Sequence, residues 1–455
     1  MELLQSSIVK NDKHQKLTKK NKLIDPKMIN ILEDFIVKNQ LICYGGIAIN
    51  NILPKDQQFY DYDIDIPDYD FFSPNAMEHA KELCDIFAKE GYVYHVEGKS
   101  AFFYGTYKVF VNFIPMADIT QIDESFYKYL LKNVIVVNNI PYTNPDFLRM
   151  SLHQELSRPL GDVSRWEKIY TRMNILNKYF PIKEHESVDD SIQSLNESIL
   201  DDMEKITNLF IREKCIFNNM RFVKCLFKKY FKTKTKKNIS CKNKNLLDRL
   251  MKDQFIIYST NLDDLNKKIK SLKIENIEIE KKKSKYKFIK KFQEVYINNT
   301  YVGIMFELDS CMSFIDIKYK RNIIKIGNID TLLHLYFALL LMDDNNINEL
   351  HIKSTISYLY HIINNYEKLY VKYIANNKNH GELVRFNLPC LGKQSGYEDM
   401  LKDRYKLFKD LKDKKDSIEY KKWFFKYIPK MNNNNKTRQI KRKQNNKTKK
   451  IKKRN

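Results

Sequence analysis

At 455 residues, 43% apolar and 13% aromatic, the chain holds enough apolar material for two or three packed domains. Its 80 Lys and Arg against 56 Asp and Glu, a formal net charge of +24, point to a polyanionic partner and to nucleic acid first, although part of the lysine excess fits a coding bias that also enriches Asn and Ile. No uncharged apolar run reaches the roughly eighteen residues of a span, and the start of the chain lacks the pattern of a secretory signal, so no membrane association is expected. Seven widely spaced cysteines with no Cys-x-x-Cys pair argue against a disulfide framework or zinc site and read as reduced core residues.

Residues 1–24 read as a polar arm. Asp25-Pro26 opens a helix whose Met28, Ile29, Ile31, Leu32, Phe35 and Ile36 recur at helical spacing. The apolar stretch Leu41 to Tyr44 reads as a strand, Gly45-Gly46 as a turn into a short helix, Ile47 to Leu53, and the acidic stretch after it as a loop. Asp68-Tyr69-Asp70-Phe71-Phe72 then reads as a strand, and Ser73-Pro74 as the cap of a helix to Lys89. Strands are expected at Tyr92 to Val96, Ser100 to Tyr104 and Tyr107 to Ile114, and helices from Asn144 to about Tyr179. An acidic segment, Glu184 to Glu204, looks like a connector. Beyond it, strands are expected at Phe255 to Ser259, Ile277 to Glu280, Lys287 to Ile297 and Gly303 to Asp316. Helices are expected at Leu262 to Leu272, Ile329 to Met342 and Ile352 to Ile374.

This pattern predicts an α/β (α+β) protein. A first domain over 25–182 has a small mixed sheet flanked by helices, 183–250 forms a helical connector, and 251–430 forms a second α/β domain without a Gly-Gly plus Asp-x-Asp pair. Residues 431–455, with eleven Lys or Arg, seven Asn and no acid, have the composition of a disordered basic tail.

The chemistry is expected at Asp68 and Asp70. Two residues apart on a strand, they point to one side, about 7 Å from each other. They would hold divalent cations roughly 3.5–4 Å apart, suited to an in-line displacement at phosphorus. Without a Cβ, Gly45 and Gly46 let the backbone approach a triphosphate and donate N–H groups to it. Alone, the glycines are more often a tight turn and the acids a solvated loop; an EF-hand is excluded by the missing Gly and Glu at its sixth and twelfth positions.

Taken with Glu155-Leu156-Ser157-Arg158-Pro159 and Arg165-Trp166-Glu167-Lys168, these motifs make the chain resemble the catalytic poly(A) polymerases of poxviruses and giant DNA viruses, which share the nucleotidyltransferase fold of DNA polymerase β. The motifs cover about residues 40 to 180. The resemblance implies addition of AMP from ATP to an RNA 3′ end without template, with Mg²⁺ or Mn²⁺, and a C-terminal domain that is a degenerate nucleotidyltransferase-like copy. It implies Asp68, Asp70 and a third carboxylate as catalytic metal ligands, and Gly45, Gly46, Arg158, Arg165 and Lys168 around the nucleotide or RNA backbone. It further implies a homodimer or a processivity subunit, and work in the virion and host cytoplasm.

Two registers stay open. The interval from Gly46 to Asp68 is longer than usual for the superfamily, and Asp61, Asp63 and Asp65 lie nearer; Pro67 interrupts a strand from Asp65, which favours Asp68 and Asp70. For the third carboxylate, Asn112 stands where the superfamily often has it, and Asp118 is the better metal ligand because an amide brings no charge. Competing functions are another RNA terminal nucleotidyltransferase, CCA-adding or uridylyl-adding, and a non-catalytic RNA-binding scaffold.

Overall fold

A computed structural model describes residues 25–430, together with Ser7 and Asn11, and excepting 63–64, 66–67, 93–94, 185–196, 232–249, 252, 283–290, 320–321, 343–347, 375–384 and 387–388. The expected arm, apart from Ser7 and Asn11, and the expected basic tail lie outside the described residues. The chain forms two compact units, 1–144 with 401–455, and 145–400. This division differs from the expected boundaries in three places: the helices after Asn144 belong to the second unit, the stretch expected as a connector over 183–250 supplies that unit's strand at Ile216–Phe217, and the chain returns to the first unit after Met400.

In the first unit, Pro26–Lys38 (α1) begins with Pro26 at its first position and with Asp25 accepting from the Lys27 amide. Ile42–Cys43 (β1) leads into Gly45–Ile52 (α2), and Tyr69–Ser73 (β2) into Ala76–Lys89 (α3). Next come Glu97–Ser100 (β3), Thr106–Val111 (β4), Ile114–Gln121 (β5), Glu124–Leu131 (α4), Ile135–Val137 (β6) and Ile140–Tyr142 (β7). With the late strand Lys426–Tyr427 (β16), they form a sheet in the order β16-β3-β4-β5-β2-β1-β7-β6. The α3 residues Ala80, Leu83, Cys84 and Phe87 are fully buried, and each large apolar side chain contributes about 1.5–3 kcal/mol by leaving water. A Cβ at Gly98 of β3 would meet Cys84 of α3 and Phe425, so α3 covers one face of the sheet and leaves the opposite face for polar side chains.

Several expected strands shift. The run Tyr107 to Ile114 is broken by a turn at Asn112 and Phe113, both at positive φ, which separates β4 from β5. Ala101 to Gly105 is a turn, so the strand expected at 100–104 lies earlier, at 97–100.

The second unit contains Pro145–Leu156 (α5), Trp166–Tyr179 (α6), Glu197–Arg212 (α7), Ile216–Phe217 (β8), Met220–Phe231 (α8), Phe255–Ser259 (β9), Leu262–Ser271 (α9) and Ile277–Lys282 (β10). It continues with Phe292–Ile297 (β11), Thr300–Glu307 (β12), Met312–Tyr319 (β13), Asn322–Gly327 (β14), Ile329–Leu340 (α10), Glu349–Ile374 (α11) and Cys390–Leu391 (β15). Its strand order is β10-β11-β12-β9-β8-β14-β13-β15. The expected strand Gly303 to Asp316 is therefore two strands.

Seven strands of this sheet repeat seven of the first in the same order, with β16 and β15 left without counterparts. The central pair is antiparallel in both, β1 with β2 and β8 with β9; the next is parallel, β2 with β5 and β9 with β12; the next two are antiparallel. Even the register shift recurs, between Val109 and Phe110 in one and between Val295 and Tyr296 in the other. The second unit is an internal copy of the first.

Its core is pinned by a buried ionic cluster. Arg385 donates through Nε and Nη2 to the two Asp330 oxygens at 3.0 Å, His153 Nδ1 lies 2.8 Å from Asp330, and His153 Nε2 lies 2.8 Å from the Tyr360 hydroxyl. Despite the opposing effect of burial, Arg385 and His153 hold the Asp330 carboxyl well below the usual carboxylate range. Burial pushes His153 down, and His334, bonded to the Met150 carbonyl at 3.1 Å, down to about 4. Of the cysteines, Cys43, Cys84, Cys215 and Cys311 are buried free thiols, whereas Cys225 is disulfide-bonded, contrary to the expectation of reduced cysteines throughout.

Removing Asp330 leaves Arg385 buried without its counter-ion. Asp330→Ala is expected to cost about 3–5 kcal/mol in urea unfolding. Because His153 and His334 have lowered pKa values, the unfolded chain binds protons near pH 6.5 that the folded unit refuses. Stability should be full above that pH and fall on acidification toward pH 4, by up to about 1.4 kcal/mol per pH unit per histidine. Urea midpoints taken from pH 7 to 4.5 check this, and His334→Gln should flatten the slope.

Candidate active site

The polar face of the first sheet is organised by register. β2 pairs with β5 in parallel so that Asp70 stands directly opposite Asp118, and β4 pairs with β5 so that Lys108 stands on the other side of Asp118. Residues paired in register share a face, so the three side chains form one row. Lys108 Nζ lies 2.7 Å from Asp118 Oδ1, and the Asp118 side chain is 16% exposed. Asp68 is exposed, one residue ahead of β2.

The glycine turn meets this row. The Tyr44 amide donates to the Asp70 carbonyl at 2.9 Å, which aligns the start of α2 with Asp70. Gly45 has φ +71, and a Cβ there would lie 3.1 Å from Asp70 Oδ2, so both backbone shape and space call for glycine. No side chain caps α2, so its first amides are available to an anion.

Tyr44 ties the parts together. Its ring stacks on Phe72 with centroids 3.9 Å apart, and its hydroxyl lies 2.9 Å from Thr120 Oγ1, which is 3.0 Å from Thr106 Oγ1. Burial and then the charges of Asp70, Asp118 and Asp68 raise its phenol far above the ordinary value, so Tyr44 stays protonated. One phenol thus feels all three carboxylates.

Among the described residues, no three His, Cys, Asp or Glu side chains converge as a ready-made metal-binding group. The donors still suit a hard divalent cation. They are all carboxylate oxygens, Gly45 leaves room beside Asp70, and Asp118 already carries a cation, the Lys108 ammonium, which a metal would replace.

Asp61 and Asp65 close a local turn, with the Asp65 amide donating to the Asp61 carbonyl at 2.7 Å and the Asp61 amide to Asp65 Oδ2 at 2.9 Å. Neither lies on a strand, and Asp63 and Pro67 lie outside the described residues. Asn112 occupies the β4–β5 turn rather than a strand position beside Asp70.

Gly45, Gly46, Asp68, Asp70 and Asp118 all belong to the first unit, and Arg158, Arg165 and Lys168 to the second. Burial pushes the Arg158 guanidinium down, with the Asp309 and Glu155 carboxyls and the Tyr258 and Cys311 side chains near it in its own unit, and its Nε has no hydrogen-bond partner. Arg165 is half exposed and pairs with Glu155 at 3.3 Å, and Lys168 is exposed. Sequence reasoning missed Lys108 and Tyr44. Lys108 alternates with buried Tyr107 and Val109, and that period-two pattern was the available signal.

In the internal copy the corresponding row carries different side chains. There the Asn218 amide donates to the Ile256 carbonyl at 2.7 Å, as Tyr44 does to Asp70. Register then equates Asp70 with Ile256, Asp118 with Ile304, Lys108 with Glu294 and Gly45 with Asn219. Gln254 falls at the position of Asp68. None of the carboxylates survives in the copy.

Residues 30–162 match the family described as poly(A) polymerase catalytic subunit; Arg165 and Lys168 lie beyond that segment. Over 162 residues the chain is 35% identical to a protein of Acanthamoeba polyphaga mimivirus named as a poly(A) polymerase catalytic subunit, covering 34% of this chain and 27% of that relative. A protein of African swine fever virus (strain Badajoz 1971 Vero-adapted) with the same name is 32% identical over 161 residues, or 34% of this chain and 33% of the relative. The aligned part thus spans a third or less of the curated relatives. The whole fold is similar to the crystal structure of the Megavirus polyadenylate synthase, with a TM-score of 0.75 at 21% identity over 97% of this chain and 88% of that one. Residues 30–162, which carry Gly45, Asp70 and Asp118, are thus similar to the poly(A) polymerase catalytic subunit family, within a chain whose fold is similar to that of a viral polyadenylate synthase.

Proposed function

We propose that the protein is a template-independent poly(A) polymerase that adds AMP from ATP to the 3′ ends of mRNA by two-metal-ion nucleotidyl transfer. The observation that carries this reading is the register of Asp70 with Asp118 beside the glycine turn, lost together with that turn in the internal copy.

In this reading the uncapped start of α2 receives the triphosphate, with backbone amides at Gly45 and Gly46 donating to its oxygens. Asp68, Asp70 and Asp118 would hold Mg²⁺ or Mn²⁺, which would supply charge for the attacking and leaving oxygens. Asp118 sits on the side away from the glycine turn, where the RNA 3′ hydroxyl would enter, and stands as acceptor for its proton. The new bond joins the 3′ oxygen to the α-phosphorus, and pyrophosphate leaves on the glycine side. Lys108 pairs with Asp118 and would give it up to the cation. The exposed cations Arg165 and Lys168 are candidates for phosphate contacts, and Arg158 is the less suited because it is buried. A processivity subunit or a second copy of the chain, and a viral factory in host cytoplasm with packaging in the virion, belong to the same proposal. Among the described residues, no helix is long and apolar enough to cross a membrane.

The test is extension of a short labelled RNA with Mg²⁺ or Mn²⁺ and each nucleoside triphosphate singly. Long tails with ATP alone support the proposal, preference for CTP or UTP turns it toward another terminal transferase, and no extension turns it toward a scaffold. Asp68→Ala, Asp70→Ala and Asp118→Ala should each reduce extension by about 10³-fold or more while the thermal unfolding midpoint stays within a few degrees. An active, folded Asp70→Ala would refute the assignment. Gly45→Ala should raise the KM for ATP with little change in the KM for RNA.

A further inference from the structure

The row that contains Asp70 and Asp118 does not end at Lys108. β3 pairs with β4 so that Lys99 stands opposite Lys108, and β16 pairs with β3 so that Lys426 stands opposite Lys99. Across five strands the registered residues are therefore Lys426, Lys99, Lys108, Asp118 and Asp70. The Lys99 and Lys426 side chains are 43% and 64% exposed, and Lys99 Nζ lies 4.1 Å over the Phe110 ring. A single carboxylate, Glu97, serves both, at 2.8 Å from Lys99 and 3.7 Å from Lys426. It steadies the two ammonium groups and leaves a surplus of positive charge.

Like charges directly opposite on adjacent strands are destabilising, by a few tenths of a kcal/mol up to about 1. The fold does not require them. At the positions of Lys99 and Lys108 the internal copy has Glu280 and Glu294, bridged by Lys282 at 2.5 and 3.1 Å, next to the isoleucines that replace the aspartates. The sign of the row reverses where the carboxylates are gone.

Resting on the nucleotidyl-transfer reading, we infer that Lys108, Lys99 and Lys426 form a track for the backbone phosphates of the RNA substrate, leading its 3′ end to Asp118. A triphosphate is the other phosphate source. Its cradle, however, lies at the opposite end of the row, on the glycine side of Asp70. From Asp118 to Lys426 the row runs three strand spacings, about 14 Å, a length suited to successive nucleotides rather than to one triphosphate. The outermost lysine is supplied by the returning C-terminal segment and is firmly placed. Arg404 donates to the Phe102 carbonyl at 3.1 Å and the Trp423 carbonyl at 2.9 Å, Ser100 Oγ to the Trp423 carbonyl at 2.7 Å, and Tyr427 to Asp85 at 2.8 Å.

The experiment uses the full chain and labelled oligo(A), without ATP or metal, and measures affinity by fluorescence anisotropy over a range of salt. Lys99→Gln with Lys426→Gln should lower the slope of log K against log salt by about 0.7 per lysine removed. In the extension assay the same double variant should raise the KM for RNA about tenfold while the KM for ATP is unchanged. Lys99→Arg with Lys426→Arg should restore both, which separates lost charge from a misfolded edge. Lys128→Gln, an exposed lysine on α4, should leave slope and KM as they are. An unchanged slope in the double variant, an equal loss in Lys128→Gln, or a rise confined to the KM for ATP would overturn the track. A wild-type chain that binds RNA through these lysines yet extends with no nucleotide would instead sink the polymerase reading alone.

Discussion

Two carboxylates held in register on neighbouring strands repel each other, and the first unit is arranged around keeping Asp70 and Asp118 together. Lys108 answers the charge of Asp118 from one side, and the uncapped start of α2 faces Asp70 from the other. Tyr44, too deeply buried and too near three negative charges to ionise, closes the gap between them with its ring on Phe72 and its hydroxyl on Thr120. In the proposed reading, a divalent ion arriving here would meet carboxylate charge beyond what the single ammonium of Lys108 answers.

The second unit separates what the fold needs from what the chemistry needs. Its strand order, pair directions and bulge match those of the first, so these are set by the scaffold. Where the first unit has its central aspartates, the second has Ile256 and Ile304, both buried and packed without any electrostatic compensation. At the glycine position Asn219 turns its side chain back, accepting the Ile256 amide at 3.1 Å and so filling the space that Gly45 leaves open. Ser259, by contrast, keeps the place of Ser73 at the end of the strand, and both carbonyls accept an amide from the neighbouring strand's exit, from Leu308 and Ile122. The copy has kept the architecture and filled the site.

How much of this was legible in the sequence depended on range. Local signals were enough for α1, with its Asp25 cap and its apolar stripe, and for β2 and α3 after it. The Asp68 and Asp70 pair could be placed on or beside a strand by alternation alone. Asp118 was harder, because its partner Asp70 lies 48 positions earlier and only parallel pairing brings them level. The turn that sets the β4–β5 register, Asn112-Phe113, was hidden by Phe113, a residue that seldom adopts positive φ and so gives no turn signal. Lys108 and Lys99 look like ordinary solvated lysines until the registers are known. The return of the chain after Met400 was not legible at all, since β16 is two residues long and its anchor, Arg404, acts on carbonyl groups some three hundred residues away.

That return also accounts for a difference between the two sheets at corresponding edges. An uncovered edge strand invites pairing with other chains, and it is commonly protected by charge or by a cover. In the second unit β10 is the edge among the described residues, and its sequence, Ile277-Glu278-Ile279-Glu280-Lys281-Lys282, is charged along its length. In the first unit the equivalent strand, β3, is covered by β16 instead. Covering turns β3 from an edge into an interior strand, so that Lys99 gains a neighbour on each side and the row of cations is extended by one strand beyond it. The same fold thus solves one edge by charge and the other by an added strand, and only the second solution lengthens the positively charged approach to Asp118.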